Sequence, residues 1–192
     1  MSVPERVGRL INYLWVFMAV VVFVLWLQEP SLFARESIAA WIERWGSWMF
    51  AGFIGVSLVR GLFLIPSTPV ILTGGVLFPE SLPFVFGISI VGIVVSATAI
   101  YFLPGVGGYD DLLERKYPEK IARLKMLLAT PYAFWVVLGW SFFPFVPTDV
   151  ICYAAGLLGM SYRRMIVALL LGEVPLVVGY LFLTQIALDL LG

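Results

Sequence analysis

Apolar runs of membrane-spanning length constrain this chain more than any other feature in it. Residues 10–27, 82–103 and 165–190 each approach the length of a crossing helix, which takes about 20 mostly apolar residues. Two further stretches, 46–80 and 131–162, are apolar on both sides of a proline-rich break. Hydrophobic residues are 61% of the 192 and charged residues 12%, against about a quarter charged in soluble domains. So short a chain has no single core able to bury that excess, and lipid has to serve as its solvent.

The same composition removes whole classes of function. Basic and acidic residues balance at 12 each, which leaves no positive excess to neutralise phosphates, so nucleic-acid binding is not expected. Histidine is absent, and with it go Ser-His-Asp, Cys-His and H-E-x-x-H chemistry. Cys152 is alone, so no intrachain disulfide is expected. An intramembrane aspartyl protease needs two catalytic aspartates, one in a G-x-G-D setting, and Asp149 has no such context. The chain is not expected to be an enzyme, and no cofactor or metal is implied.

Arg6 and Arg9 precede the first run and Glu29-Pro30 ends it, so residues 1–28 read as an N-terminal transmembrane anchor. No small-x-small cleavage site follows, which argues against a signal peptide. Residues 29–45 mix charges with Phe33, Trp41 and Trp45, the pattern of an interfacial amphipathic helix held at headgroup level by its tryptophans. Residues 46–103 form a first repeat: a broken stretch and then a transmembrane helix. Residues 104–130 carry Arg115, Lys116, Lys120, Arg123 and Lys125 and read as a basic loop or surface helix. There Pro104-Gly105-Val106-Gly107-Gly108 marks a turn, and Asp110 or Asp111 is placed to cap a short helix. Ile121, Leu124 and Leu128 recur at helical spacing. Residues 131–190 form the second repeat.

The two broken stretches resemble each other. Pro66-Ser67-Thr68-Pro69 has its counterpart in Pro144-Phe145-Val146-Pro147, and each is followed by glycine, a polar break and a spanning helix. Prolines spaced in this way interrupt a helix. Paired broken segments in two halves of a chain point to an inverted repeat of the transporter kind. The expected fold is all-α integral membrane, multi-pass helical, with two re-entrant hairpins in an inverted repeat. The hairpin tips would be Pro66, Ser67, Thr68 and Pro69 on one side, and Pro144, Pro147 and Thr148 on the other. With the N-terminus inside, the basic loop 104–130 and Arg163-Arg164 also fall in the cytoplasm, as the positive-inside rule requires. Reading each stretch as two full crossings gives the same sidedness.

Three charges lie within apolar segments: Arg60, Asp149 and Glu173. Each costs roughly 2.5–3.5 kcal/mol on insertion scales and is by default a functional candidate. Arg60 precedes the first tip, Asp149 follows Pro147, and Glu173 lies about 12 Å into the last helix. The three are expected to converge on one cavity. The planar fork of Arg60 suits an anionic headgroup or phosphate, with Asp149 and Glu173 as protonatable coupling sites. The competing reading is a buried Arg60–Asp149 pair that only stitches the hairpins together. Ser67, Thr68 and Thr148 are more simply explained as satisfying backbone freed at the breaks.

At these residues the chain resembles the DedA / SNARE-associated-Golgi family of VTT-domain membrane proteins. One matching stretch is Ile65-Pro66-Ser67-Thr68-Pro69-Val70-Ile71-Leu72-Thr73-Gly74-Gly75-Val76-Leu77-Phe78. The other runs from Pro144 through Gly156-Leu157-Leu158-Gly159-Met160-Ser161-Tyr162-Arg163-Arg164-Met165 to Gly172 and Pro175. The resemblance covers residues 45–188. It implies two re-entrant hairpins in an inverted repeat and movement of lipids or lipid carriers between leaflets, and it admits proton coupling. The chain also departs from the family pattern. Ser141 and Pro147 stand where arginines are found, Thr68 stands where DedA proper has an acid, and no arginine ends the first spanning helix near Leu103-Pro104. These departures leave the substrate open between lipid, lipid carrier and small solute.

The expected function is transport of that kind in the cell membrane. Membrane lipids and protons are the expected partners, and a homo-oligomer is compatible with the sequence. The alternative is a non-transporting membrane scaffold or assembly factor whose buried charges are structural.

Overall fold

The computed structural model describes residues 3–106, 109–143 and 147–191. The tip residue Pro144, the turn glycines Gly107 and Gly108, and the side chains of Arg6, Arg9 and Asp110 lie outside that description. Among the described residues the chain is helical, with short 3-10 turns between helices and no strand.

Helix α1 (Val3–Gln28) has 26 residues. Helix α2 (Arg35–Glu43) follows a 3-10 turn, and α3 (Met49–Val59) runs on into the 3-10 turn Arg60–Phe63. Then come α4 (Ser67–Leu77) and α5 (Leu82–Phe102). The polar segment holds α6 (Tyr109–Lys116) and α7 (Pro118–Ala129). The second half has α8 (Pro131–Ser141), α9 (Thr148–Leu157) and the 30-residue α10 (Tyr162–Leu191).

Among the described residues, four segments are long and apolar enough to cross a membrane: Leu10–Gln28, Gly46–Phe63, Pro79–Gly105 and Tyr162–Leu190. A fifth appears if α7 and α8, bent by 83° at their junction, count as one span. With these helices the chain is a multi-pass helical membrane protein. Helices α4 and α9 differ from the rest. They have 11 and 10 residues, about 16 Å at 1.5 Å per residue, roughly half a hydrocarbon core. Neither crosses alone.

Local chemistry explains where the short helices start. Pro66 is the N-cap of α4 and Pro147 the N-cap of α9. Helix starts therefore align Pro66 with Pro147, rather than with Pro144 as the P-x-x-P match had it. Pro69 sits inside α4 without breaking it, because first-turn N–H groups have no intrahelical partner to lose. In the polar segment the chain makes two helices where one amphipathic pattern was read, since Pro118 opens a new one. Helix α6 begins at Tyr109, so Asp111 lies inside it and does not cap it. Ile121 and Leu128 are half-buried, but Leu124 is exposed.

By its contacts the chain divides into two compact units, Met1–Val20 with Ala97–Gly172, and Val21–Ser96 with Glu173–Gly192. In the second of these, α4 folds back along α3. The Phe50 ring meets Phe78 at 4.9 Å and Phe53 meets Phe78 at 5.5 Å, pairs that straddle the break at Leu64–Pro66. A Cβ on Gly92 of α5 would strike the Ser57 carbonyl of α3. A Cβ on Gly75 of α4 would come within 3.1 Å of Thr184 and 3.3 Å of Leu181, on the last part of α10. Thr73 of α4 donates to the Arg35 carbonyl of α2 at 3.1 Å.

The other unit repeats this scheme with the long helices exchanged. A Cβ on Gly172 of α10 would lie 2.7 Å from Ser141 Cβ at the end of α8. A Cβ on Gly156 of α9 would strike the Tyr101 carbonyl at the end of α5. The Tyr101 hydroxyl donates to the Met160 carbonyl, and Thr98 and Tyr162 share a hydrogen bond of 2.7 Å. Helix α1 joins this unit through stacking of Trp15 on Tyr153 (centroids 4.9 Å apart) and a 2.6 Å bond from Asn12 Nδ2 to the Val106 carbonyl. Each short helix thus packs by a glycine against the end of the long helix that belongs to the other repeat.

Backbone cannot yield to a new methyl group as a side-chain tip can. Gly156→Ala is expected to lower stability by about 1–3 kcal/mol. Gly139→Ala, where a Cβ meets nothing within 4 Å, is expected to be neutral or stabilising by up to about 1 kcal/mol. Thermal unfolding of both variants in detergent reads the difference; equal melting temperatures would remove Gly156 as a close-packing point.

Candidate functional site

Of the ionisable side chains singled out, all three are buried where charge is least tolerated. Arg60 is 3% exposed, Asp149 4% and Glu173 2%. Arg60 and Glu173 belong to the unit that contains the first break, and Asp149 to the unit that contains the second. Each is engaged within the fold.

At the first break the chain leaves the helix at Leu64, which adopts the left-handed conformation (φ 53°, ψ 25°). Arg60 closes this turn from both of its ends. Its carbonyl accepts the Ile65 N–H at 3.0 Å, and its Nη1 donates to the Ile65 carbonyl at 3.2 Å. The backbone freed by Pro66 is thus partly held by the same arginine that was read as a ligand group. Pro66, Ser67, Thr68 and Pro69 follow as the N-cap and first turn of α4, all half-buried.

The second break is closed differently. Trp140 Nε1 donates to the Pro147 carbonyl at 3.3 Å, reaching from α8 across the break. Thr148 and Asp149 open α9 and are buried, with Thr148 7% exposed. A carboxylate in a helix's first turn is favoured by the helix dipole, which gives Asp149 a local reason to sit there whatever its role. Neither α4 nor α9 has a side-chain N-cap bond, because a proline occupies each cap position.

Glu173 lies within α10, one residue after Gly172 and two before Pro175. Pro175 lacks an N–H, so one carbonyl in the preceding turn loses its helical partner beside this acid. Outside these segments, Arg35 and Glu36 of α2 pair at 2.7 Å. The Glu36 carboxyl is held below its ordinary range first by a hydrogen bond from its own backbone N–H and then by Arg35. Among the described residues, no group of three or more His, Cys, Asp or Glu gathers as a metal site.

Three residues with structural tasks, Leu64, Trp140 and Asn12, differ in how far their sequence context signals them. Leu64 carries no signal, since a leucine two residues before a proline is unremarkable in an apolar run. Trp140 carries no signal either, being one aromatic among several between Phe134 and Phe143. Asn12 was legible: a lone amide inside an apolar run has to find a partner, and it takes the Gly8 and Val106 carbonyls.

A polytopic helical membrane protein, with a short broken helix pair in each half and ionisable groups buried beside the breaks, is the class these features define. Residues 65–186, more than half of the chain, match the family model of the VTT domain, and the chain belongs to this DedA/SNARE-associated-Golgi family. Comparison with curated proteins and with solved structures returned no match.

A non-glycine residue in the left-handed region costs about 1–2 kcal/mol. Leu64→Gly should therefore hold or raise the melting temperature in detergent, whereas Leu64→Val should lower it. A clear loss of stability in Leu64→Gly would show that the Leu64 side chain, not its backbone, matters at the tip.

Proposed function

We propose that this protein moves lipids, a lipid carrier or a small solute across the bilayer, and that α3–α4 and α8–α9 act as re-entrant hairpins. In this reading Arg60 receives an anionic headgroup or phosphate, and Asp149 and Glu173 take and release protons that drive or gate the movement. It is a transport function and not an enzymatic one. The observation that carries it is the burial of three ionisable side chains, each 4% exposed or less, in apolar helices of a chain that spends only 12% of its residues on charge. Charges at membrane depth are retained where they serve a path or relay. Membership of the VTT-domain family and two half-length helices that stop at paired breaks support the same reading.

The proposed location is the cell membrane. The N-terminus and residues 104–130 would face the cytoplasm, where five basic residues between Arg115 and Lys125 satisfy the positive-inside rule. Membrane lipids and protons are the proposed partners, and association into a homo-oligomer is compatible with the site.

A second reading has its own observation. Arg60 makes a two-bond closure with Ile65, a purely structural role, and a scaffold without transport would need nothing more of it. Reconstitution in liposomes separates the two. Wild type is followed for transbilayer movement of labelled phospholipid and of a polyprenyl phosphate, beside Asp149→Asn, Glu173→Gln and Arg60→Gln, with the melting temperature of each. Transport predicts rates reduced at least about tenfold in Asp149→Asn and Glu173→Gln, with little change in melting. Variants that only melt earlier, beside a wild type that moves neither lipid, would favour the scaffold.

A further inference from the structure

The junction of α7 and α8 carries a cavity that the proposed transport path does not use. It has a volume of about 340 Å³ and is lined by Ala129, Pro131, Phe134, Trp135 and Arg164. All five residues belong to one compact unit. Arg164 is exposed, and one of its five N–H donors reaches the Ala129 carbonyl at 3.3 Å. That bond ties the guanidinium to the end of α7 and aims it at the junction. Arg163 beside it in sequence is exposed too, and among the described residues no carboxylate lines the cavity.

The walls are amphipathic in the manner of a bilayer boundary. Helix α7 carries Lys120, Arg123 and Lys125, while α8 is apolar, and the chain turns by 83° between them. Along α8, Tyr132, Trp135 and Val136 are 71%, 63% and 39% exposed and share one helix face. Trp135 and Phe134 meet edge to face at 5.5 Å at the cavity wall. Indole prefers the headgroup level of a membrane, and a guanidinium binds phosphate in a bidentate fork.

We propose that this junction binds the headgroup of an anionic glycerophospholipid, with Arg164 on the phosphate and the acyl chains along the Tyr132–Trp135–Val136 face of α8. Charge complementarity selects the occupant: a guanidinium in a lining that holds no carboxylate among the described residues favours a net negative headgroup over a zwitterionic one. The site involves none of Arg60, Asp149 or Glu173 and is independent of transport.

The full chain in vesicles tests it by tryptophan quenching. Phosphatidylglycerol or phosphatidylcholine with brominated acyl chains is titrated in, and subtracting Trp135→Phe isolates the Trp135 component. We expect about fivefold tighter apparent binding of the phosphatidylglycerol, from roughly one favourable basic contact. That preference should vanish in Arg164→Gln, weaken measurably in Arg164→Lys, which keeps the charge but loses the bidentate fork, and survive in Arg123→Gln. Arg164→Lys keeps the test valid if Arg164→Gln fails to fold, because a bidentate phosphate site should still weaken measurably with lysine. Equal quenching by both lipids in wild type overturns the proposal. A preference that persists in Arg164→Gln, or that falls equally in Arg123→Gln, also overturns it, in favour of diffuse surface charge. Displacement of the brominated lipid's effect by millimolar inorganic phosphate would assign the arginine to a soluble anion and overturn it as well.

Discussion

Backbone polar groups have no water to turn to inside hydrocarbon, and this requirement governs the whole structure. A continuous helix meets it internally. The two breaks, at Leu64–Pro66 and between α8 and α9, do not, so each must be closed by something nearby. Arg60 closes the first with its own carbonyl and guanidinium, and Trp140 reaches over the second with its indole N–H. The remaining first-turn N–H groups of α4 and α9 have no side-chain cap. They lie where prolines removed the usual capping residue, so the breaks are polar by construction.

Close approach of helices is the second condition, and small residues supply it. Lipid offers no hydrophobic incentive for helices to associate, so contact area and proximity have to do so. Gly92 against Ser57 and Gly172 against Ser141 bring each long helix onto the helix before its own break. Gly75 against Leu181 and Thr184, and Gly156 against Tyr101, bring each short helix onto the other long one. The hydroxyls of Ser57 and Ser141 are buried without a hydrogen-bond partner among the described residues, so these serines act by being small. Their matching contacts give the internal repeat a physical meaning that the proline spacing alone did not have.

The buried charges stand on a different footing. Arg60 has a visible structural task and Asp149 a favourable helix-dipole position, so part of their cost is offset locally. Glu173 lies instead inside the long helix α10. It sits between Gly172, which meets Ser141, and Pro175, which frees a carbonyl of the preceding turn.

Much of this protein was decided by the sequence alone. Apolar runs of bilayer length dictate spanning helices because no other solvent accepts them. The proline-rich stretches dictate that a helix breaks within them, and three isolated charges announce themselves against an apolar background. The family signature around Pro66–Phe78 and Gly156–Met165 was legible for the same reason, since glycine and proline act through local backbone geometry. What only the tertiary structure decided depends on residues far apart in the chain. Which proline caps which helix, which glycine meets which carbonyl, and the pairing of Trp15 with Tyr153 all follow from packing. A glycine that needs close approach and a glycine that faces open space, such as Gly156 and Gly139, are the same letter in a sequence. Only the neighbour brought against it separates them.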